Sequence, residues 1–186
     1  MAALTADHIS RMGFARIGEN VQISDKASFY NCKAISISDN VRIDDFCILS
    51  AGSGGIEIGS YVHIGAYSML TGAGKISLLD FSGLSSRVSI YSSSDDYSGA
   101  SMSNPTVPAE FTNVHHADVT IGRHAIIGSG SVVLPGVVLE QGVAVGALSL
   151  ISKNCSEFGI YSGAPAKRIK TRKRDLLEKE AQLVKR

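Results

Sequence analysis

The chain has 186 residues, 44% of them hydrophobic, which is enough for one domain with a substantial core. Its formal net charge is +1, but residues 167–186 carry nine Lys/Arg and three Asp/Glu, or +6. The preceding residues carry nine Lys/Arg and fourteen Asp/Glu, or −5. A basic tail on a mildly acidic body argues against a nucleic-acid-binding domain and indicates an anionic ligand or a solvated terminal helix.

No segment approaches the roughly 20 apolar residues that a membrane span needs, and the N-terminus lacks the apolar run of a signal peptide. The three cysteines, Cys32, Cys47 and Cys155, are widely spaced and form no CxxC pair. This usage is typical of small buried hydrophobic residues in a reducing compartment. We therefore expect a cytoplasmic protein without a membrane span.

Residues 4–12 predict a short helix that would cover the first coil of a repeat. From Ile17 onward an aliphatic residue recurs every six residues, a period that predicts a β-helix in which each hexapeptide forms one flat side of a coil. The aliphatic residue would point inward, and small or polar residues after it would let the backbone turn. Further blocks begin at Ile37, Ile43, Ile58 and Ile64, weaken from residue 81, and run unbroken over residues 121–153.

Glycine-rich stretches interrupt the period at residues 50–55 (SAGSGG) and 71–75 (TGAGK). We interpret both as corner insertions, because neither has the GxxxxGK(S/T) spacing and following helix of a phosphate-binding loop. A longer interruption covers residues 92–118, after which the repeat resumes. It predicts an excursion loop, and ordered loops of this length are usually functional.

Beyond the last coil, Gly163 and Pro165 end the strand pattern. The residues from position 172 onward predict a helix with an apolar stripe of Leu177, Ala181 and Val184. We expect this stripe to pack on the coil or on a neighbouring subunit. The predicted organisation is a β-helix domain over residues 1–166, with the loop at 92–118, and a basic C-terminal helix over residues 167–186.

The blocks IGSGSVVLPGV (127–137) and VGALSLISK (145–153), followed by SGAPAKRIK (162–170), resemble the hexapeptide-repeat acyltransferases. The nearest subgroup is that of the galactoside and maltose O-acetyltransferases and the sugar acetyltransferases of surface-polysaccharide pathways. The resemblance covers nearly the whole chain. It implies an all-β fold, a left-handed parallel β-helix shaped as a three-sided prism, with an excursion loop and a short C-terminal α-helix. Its handedness departs from the usual right-handed crossover.

The resemblance also implies a homotrimer with active sites between subunits. Acetyl-CoA would lie along the C-terminal coils as co-substrate, without a metal, and the acceptor would enter near the excursion loop. Acetyl transfer needs a base, donors for the oxyanion and a thioester held in line.

The resembling enzymes carry a histidine in an SxxHD context where this chain reads YSSSDDYSG (91–99), so that Asp95 stands in place of the histidine. Aspartate is a weak base near neutral pH unless burial raises its pKa. The change therefore favours an amine acceptor over a hydroxyl. The predicted catalytic residues are Asp95 and Asp96, together with His115 and His116 at the far end of the loop.

The cofactor candidates are small residues that leave the backbone open to pantetheine amides, and basic residues for the CoA phosphates. They are Gly128, Ser129, Gly146, Ala147, Lys153, Pro165, Lys167, Arg168 and Lys170. Acceptor-side candidates are Thr71, Tyr97 and Asn104. We expect His63 to be structural or to line the acceptor site and His124 to be solvated. No histidine pair has a convincing zinc spacing.

The predicted function is acetyl-CoA-dependent transfer to an amino or hydroxyl group of a sugar or nucleotide sugar, as in lipopolysaccharide biosynthesis. The missing histidine leaves a non-catalytic trimeric β-helix scaffold as an alternative. An antibiotic-modifying acetyltransferase would share the predicted chemistry. A carbonic-anhydrase-like relative would need three zinc histidines in register, which the spacing does not offer.

Overall fold

The structure, a computed structural model, describes residues 2–185 and consists mainly of short parallel strands wound into a left-handed β-helix of about 7 turns. The strands in chain order are β1 (Arg16–Ile17), β2 (Gln22–Ile23), β3 (Ser28–Tyr30), β4 (Ile35–Ile37), β5 (Arg42–Ile43), β6 (Ile48–Ala51), β7 (Ile56–Ile58), β8 (His63–Ile64), β9 (Met69–Gly72), β10 (Ile76–Leu78), β11 (Gly83–Leu84), β12 (Ser89–Tyr91), β13 (Ser93–Ser94), β14 (His115–His116), β15 (Val119–Ile121), β16 (Ile126–Ile127), β17 (Val132–Val133), β18 (Val138–Leu139), β19 (Ala144–Val145), β20 (Leu150–Ile151), β21 (Gly159–Ser162) and β22 (Lys167–Thr171). The helices are α1 (Ala6–Arg11) and α2 (Leu176–Leu183). Short 3-10 turns occupy Cys32–Ala34 and Ala109–Phe111.

Three sheets form the sides of the prism, as predicted. The first face contains β1, β4, β7, β10, β15 and β18, and the third contains β3, β6, β9, β12, β17 and β20. The second face contains β2, β5, β8, β11, β16, β19 and β21, and β22 pairs antiparallel to β21 at its end. We call the turn from first to second face the first edge and the turn from second to third face the second edge. The third edge is where the chain passes to the next coil.

The period of six places one buried aliphatic residue on each face of each coil. In one coil these are Ile121, Ile127 and Val133, all 0% exposed, and the next coil stacks Leu139 and its counterparts on them. Burying such a side chain contributes about 1.5–3 kcal/mol. Because each row is covered only by the coils above and below, stability is shared along the stack.

The coil predicted to begin at Phe81 begins instead at Leu78. The buried residues of that coil are Leu78, Leu84 and Ile90. Phe81 lies at the first edge with φ 59°, and its ring stacks on Tyr61 and His124 at centroid distances of 4.8 and 4.9 Å. A left-handed conformation costs a side-chain-bearing residue about 1–2 kcal/mol, and the stacked rings offset part of that cost.

The departures from the period all fall on the third edge. They comprise the turn at Cys32–Ala34, the two predicted corner insertions, which are confirmed, and the excursion loop. The two insertions stack on each other, because the Gly54 N–H donates to the Ala73 carbonyl at 2.8 Å. Gly72 has φ 135°, and a Cβ there would lie 2.3 Å from the Ser92 hydroxyl oxygen. Only glycine therefore lets the loop begin so close to this corner.

The ends of the chain match the sequence prediction in part. The predicted N-terminal helix is confirmed as α1, whose Thr5 hydroxyl accepts a hydrogen bond from the His8 N–H at 3.2 Å. The helix predicted over residues 167–186 is wrong at its start, because Lys167–Thr171 forms β22 and the helix begins at Leu176. Its apolar stripe is not buried in this chain, since Val184 is 72% exposed. Residues 1 and 186, at the ends of the predicted segments, lie outside the described residues.

A buried serine without a partner gives the first prediction. Ser82 is 2% exposed, its hydroxyl has no hydrogen-bond partner among residues 2–185, and the neighbouring coils place Val62 and Ala125 in the same row. We expect Ser82→Ala to raise the free energy of unfolding in urea by about 1 kcal/mol, because it removes an unsatisfied polar group.

The matched control is Ser149→Ala. This serine is 1% exposed, but its hydroxyl donates to the Gly146 carbonyl at 2.8 Å and accepts from the Gly163 N–H at 3.1 Å. Its loss should lower the free energy of unfolding by about 1–3 kcal/mol. A destabilised Ser82→Ala variant would contradict our reading of the Ser82 site.

Candidate active site

A two-stranded antiparallel ladder closes the base of the excursion loop, and we call it the loop neck. In it β13 pairs with β14, so that Ser93 faces His116 and Ser94 faces His115. Because successive strand residues point to opposite sides, the two histidines project in opposite directions. The Ser93 hydroxyl oxygen lies 2.7 Å from His116 Nδ1 and also accepts from the Ala73 N–H at 2.7 Å. His116 is thereby fixed against the TGAGK corner.

The two predicted carboxylates follow the loop neck and have different surroundings. Asp95 comes directly after Ser94 and is half-buried. Asp96 Oδ2 is buried and has no hydrogen-bond partner among residues 2–185. Asp96 Oδ1 accepts a hydrogen bond from the Ser98 N–H at 2.8 Å, and hydrogen bonding with Ser98 holds the pKa of Asp96 below the ordinary value. Asp96 is therefore ionised near neutral pH and shapes a turn, whereas Asp95 directly follows the loop-neck strand.

The acceptor-side candidates lie on the third face and in the loop. Thr71 pairs with Tyr91 in the third face, next to the corner that carries the loop neck. Tyr97 is 92% exposed in the loop. The Asn104 side-chain carbonyl accepts hydrogen bonds from the Thr106 N–H at 3.0 Å and hydroxyl at 2.6 Å, so Asn104 serves the fold of the loop.

A groove with a volume of about 290 Å³ lies where the second face meets the second edge. We call it the serine groove, and it is lined by His63, Gly65, Gly83, Leu84, Ser85, Ser86, Ile126 and Ser129. It exists because Gly83 stands in register between His63 and Ile126, and a Cβ on Gly83 would have no neighbour within 4 Å. Its three serine hydroxyls can donate hydrogen bonds to a carbonyl oxygen or an oxyanion.

Of the groove residues, Ser129 was predicted to bind the cofactor, and His63 was predicted to be structural or to line the acceptor site. Ser85, Ser86 and Gly83 were not predicted. The available signal was the glycine in FSGLSS, at a position where the neighbouring coils carry the large side chains of His63 and Ile126.

A carboxylate from the preceding coil holds His63 at the wall of the serine groove. His63 Nε2 lies 2.8 Å from Asp44 Oδ2, and Arg42 Nε donates to Asp44 Oδ1 at 2.7 Å. Although partial burial pushes the pKa of Asp44 upward, its hydrogen bonds with His63 and Arg42 and their charges hold it below the ordinary value. Asp44 is therefore an ionised acceptor for the histidine.

The small cofactor candidates lie on the second edge above the serine groove. A Cβ on Gly128 would lie 2.5 Å from the Ala147 nitrogen, and one on Gly146 would lie 2.9 Å from the Ser162 hydroxyl oxygen. The stacking of the coils therefore requires glycine at position 128, where the close contacts are backbone atoms, whereas a side chain at position 146 would displace the Ser162 hydroxyl. Ala147 is exposed beside them.

The backbone groups of Gly146 are engaged within the coils. Its N–H donates to the Tyr161 carbonyl at 2.8 Å, and its carbonyl accepts from the hydroxyls of Ser131 and Ser149 at 3.1 and 2.8 Å. Gly146 thus offers a ligand no free backbone group, contrary to the prediction. Ser129, by contrast, is exposed and lines the serine groove.

The predicted phosphate-binding residues Lys167, Arg168 and Lys170 lie on β22, whose hairpin with β21 has a turn that contains Pro165 after a cis peptide bond. Lys153 follows β20. Every residue of β22 is exposed. Among residues 2–185, none of Lys153, Lys167, Arg168 and Lys170 forms an ion pair with a carboxylate. These cations are therefore available to phosphate groups.

An ion-pair cluster fixes the segment after β22 to the first edge. Glu180 of α2 accepts hydrogen bonds from Arg123 and from His124 Nε2, the latter at 2.6 Å, and Arg123 also binds Asp80 at 2.7 Å. The His124 side chain is 10% exposed, so the prediction of a solvated histidine is wrong. Burial and the charges of Arg123 and Arg172 hold the pKa of His124 below its ordinary value. The charge of Asp80 opposes this shift.

Arg172 completes this connection between the tail and the coils. Its Nη1 donates to the carbonyl oxygens of His124 and Gly142 at 2.8 and 3.1 Å. Arg172 directly follows β22, so these bonds hold the end of the basic strand against the coils.

A larger cleft of about 500 Å³ lies on the first face and includes Arg16, Glu57, Asp80 and Arg123 in its lining. It contains none of the predicted site residues, and Asp80 and Arg123 are paired with each other. Within residues 2–185, no group of three His, Cys, Asp or Glu side chains is placed to hold a metal ion. No helix in that part of the chain is long and apolar enough to cross a membrane. We place the candidate active site at the serine groove and the loop neck.

No family model matches the sequence. A dTDP-4-amino-4,6-dideoxy-D-glucose acyltransferase of Escherichia coli is 55% identical over 181 residues, which are 97% of this chain and 94% of that protein. AntD, an N-acyltransferase of Bacillus cereus, is 43% identical in its complex with dTDP and 3-hydroxybutyryl-CoA. That structure has a TM-score of 0.94 and covers 100% of this chain and 98% of its own. A serine-to-alanine variant of AntD in complex with dTDP-4-amino-4,6-dideoxyglucose and coenzyme A is also 43% identical, with a TM-score of 0.95 over 99% and 98% of the two chains.

The ion-pair cluster leads to a test of how the tail is held. We expect Glu180→Gln to increase the rate of trypsin cleavage in the C-terminal tail about tenfold, because a hydrogen bond to a charged group contributes roughly 1.5–3 kcal/mol. Glu178→Gln, an exposed position of the same helix, should be cut at the wild-type rate. Equal cleavage rates in both variants would show that Glu180 does not hold the helix.

Proposed function

We infer the reaction of this chain from its family, because the chain belongs to the hexapeptide-repeat acyltransferases. It is an enzyme that uses acyl-CoA as co-substrate, which decides against the scaffold alternative. We propose that it acylates the 4-amino group of dTDP-4-amino-4,6-dideoxyglucose. The observation that carries this proposal is the 55% identity, over 94% of its length, to the Escherichia coli enzyme named for that acceptor. The choice of an amine over a hydroxyl also suits Asp95 at the loop neck.

The positions of the serine groove and the loop neck support a site shared between subunits. The groove lies at the second edge of the prism and the loop neck at its third edge, with the third face between them. One chain does not bring them together, so we propose a homotrimer in which the loop of one subunit reaches the groove of its neighbour. The loop exposes Tyr97, Met102 and Phe111 at 92%, 57% and 56%, and such apolar surface is typical of an interface.

Acyl-CoA would extend along the second edge in this site. We propose that the cations of the β21–β22 hairpin and Lys153 bind its phosphates and that the pantetheine passes Gly128, Ser129 and Ala147. The thioester then lies in the serine groove, where serine hydroxyls face the developing oxyanion. The donor is acetyl-CoA or another short acyl-CoA, since AntD is known in complex with 3-hydroxybutyryl-CoA.

The acceptor would approach from the loop neck. A sugar amine is largely protonated near neutral pH, as α-amino groups are, and it must lose a proton before it can attack. We propose that the Asp95 carboxylate attracts this ammonium group and removes the proton together with His116, which Ser93 orients. His115 projects to the other side of the ladder and plays no part in this step.

We further propose that the enzyme acts in the cytoplasm. Burial raises the pKa of the Cys47 and Cys155 thiols to about 11, so neither is a reactive thiol, and Cys32 is also free. Three free cysteines without a disulfide among them fit a reducing compartment.

The acceptor assignment is tested by thiol release from acetyl-CoA. We expect the wild-type protein to release thiol with dTDP-4-amino-4,6-dideoxyglucose and to release none above background with dTDP-glucose, which lacks the amine. Light scattering of the same sample should give the mass of a trimer. Thiol release with both sugars alike would rule out amine specificity.

The loop neck is tested by Asp95→Asn and His116→Ala in the same assay. We expect Asp95→Asn to lower kcat about a hundredfold, because positioned proton transfer contributes roughly 10²–10⁴-fold, and His116→Ala to lower it less. Asp25→Asn, an exposed aspartate on the second edge, is the control that should keep full activity. If both loop-neck variants keep the wild-type kcat, these residues do not deprotonate the acceptor.

A further inference from the structure

His63 is the histidine of this chain that lines the serine groove, and the structure fixes which of its nitrogens can act there. The other histidines lie in α1, at the loop neck, or against Glu180. Asp44 is ionised and can only accept, so the neutral His63 ring donates its Nε2–H to Asp44 Oδ2 at 2.8 Å. The Nδ1 atom therefore carries the free lone pair.

Folding alone does not account for this pair. The Asp44 side chain is 17% exposed, but the His63 and Arg42 side chains that bind it are 53% and 55% exposed, so solvent screens both ion pairs. Solvent-screened ion pairs make only a small contribution to stability. A histidine whose far nitrogen is held by a carboxylate is instead the arrangement that prepares an imidazole to take up a proton.

Among residues 2–185, the charged groups that contact the His63–Asp44 pair belong to the preceding coil. Arg42 and Asp44 belong to the preceding coil, and Asp45 beyond them is paired with Lys26. The following coils place the uncharged Gly83, Ser85, Ser86 and Ile126 along the groove. An imidazolium formed here would be stabilised mainly by the Asp44 carboxylate, and the groove side is open to a ligand.

The proposed reaction releases two protons from the amine. One leaves before the attack and is assigned to the loop neck above. The second leaves after the C–N bond has formed, because the nitrogen is then cationic, and the thioester C–S bond breaks as the amide forms. The sulfur departs as a thiolate and needs one proton. The sum of the second stage is R–NH2 + R′–CO–S–CoA → R–NH–CO–R′ + HS–CoA.

We propose that His63, oriented by Asp44, takes this second proton at Nδ1 and returns it to the departing CoA sulfur. The inference rests on the proposed amine acceptor and on a thioester placed in the serine groove. His63 would then give the serine groove a catalytic role in addition to binding, because it would carry a proton from the acceptor nitrogen to the CoA sulfur. His63 regains its neutral form at the end of each cycle, so no further reactant is needed.

The test uses the full-length protein in the thiol-release assay, with kcat and the KM for acetyl-CoA measured from pH 5.5 to 9. We expect His63→Gln to lower kcat about a hundredfold or more, to leave that KM unchanged and to change the acid limb of the pH profile, to which the loop neck and the acceptor amine also contribute. Asp44→Asn keeps a hydrogen-bond partner for His63 Nε2 but removes the negative charge of the carboxylate. This variant should lower kcat less than His63→Gln does and should move the acid limb to lower pH, because the His63 imidazolium loses its stabilising carboxylate. His8→Gln, in the N-terminal helix, is the matched control and should behave as wild type.

The outcomes separate this inference from the proposed function. A wild-type protein that is inactive on dTDP-4-amino-4,6-dideoxyglucose overturns both. Wild-type turnover combined with full activity of His63→Gln overturns the role of His63 alone. An acid limb that persists unchanged in His63→Gln also overturns it, even if kcat falls, because the titrating group is then another residue.

Discussion

The stacking of one aliphatic side chain per face in every coil is the interaction on which the rest of this structure depends. The parallel strands have only two to four residues, too few to be stable alone. Each is held because the residues above and below it bury the same row, as Ile64, Leu84 and Ile127 do on the second face. This row also sets the spacing of the outward side chains beside it. The geometry of the serine groove is therefore inherited from the core.

Polar and aromatic contacts at the edges of the prism hold successive coils in register and attach the C-terminal segment. On the second edge, the hydroxyls of Ser131 and Ser149 occupy the carbonyl of Gly146 and hold successive coils in register. On the first edge, aromatic rings stack in left-handed positions, and Glu180 and Arg172 attach the chain beyond the last coil. These contacts keep the basic hairpin close to the coils that would bind the pantetheine, although the hairpin itself lies on the surface.

The hexapeptide period predicted a β-helix, its corner insertions and the excursion loop, because one buried residue in six leaves a direct trace in the sequence. The three sides of the prism followed only from the resemblance to the hexapeptide-repeat acyltransferases. The start of the coil at Leu78 was harder to predict, because the sequence alone does not show whether Leu78 or Leu79 faces inward. The serine groove could not be found in this way. It arises where Gly83 lacks the side chain that His63 and Ile126 carry, and only the register of three coils reveals that difference.

Contacts between distant positions escaped the sequence for a similar reason. Arg123 and Glu180 are 57 residues apart, and an acidic residue in a charged helix gives no sign of its partner. His124 was expected to be solvated, yet it is enclosed by Phe81 and Glu180. The strand β22 was also missed, because Lys167–Thr171 has Ile169 as its single apolar residue and every residue is exposed, so no strand alternation appears in the sequence.

The confinement of every insertion to the third edge has a consequence for how such a chain can change. The first and second edges keep the strict spacing of six, so an added residue there would shift all later rows out of alignment. At the third edge the chain already accommodates extra segments of very different length, from a single turn to the loop of residues 92–118. Under the proposed function, new acceptor specificities would arise by exchange of the loop at the third edge, while the second edge, where we propose that acyl-CoA lies, would stay unchanged.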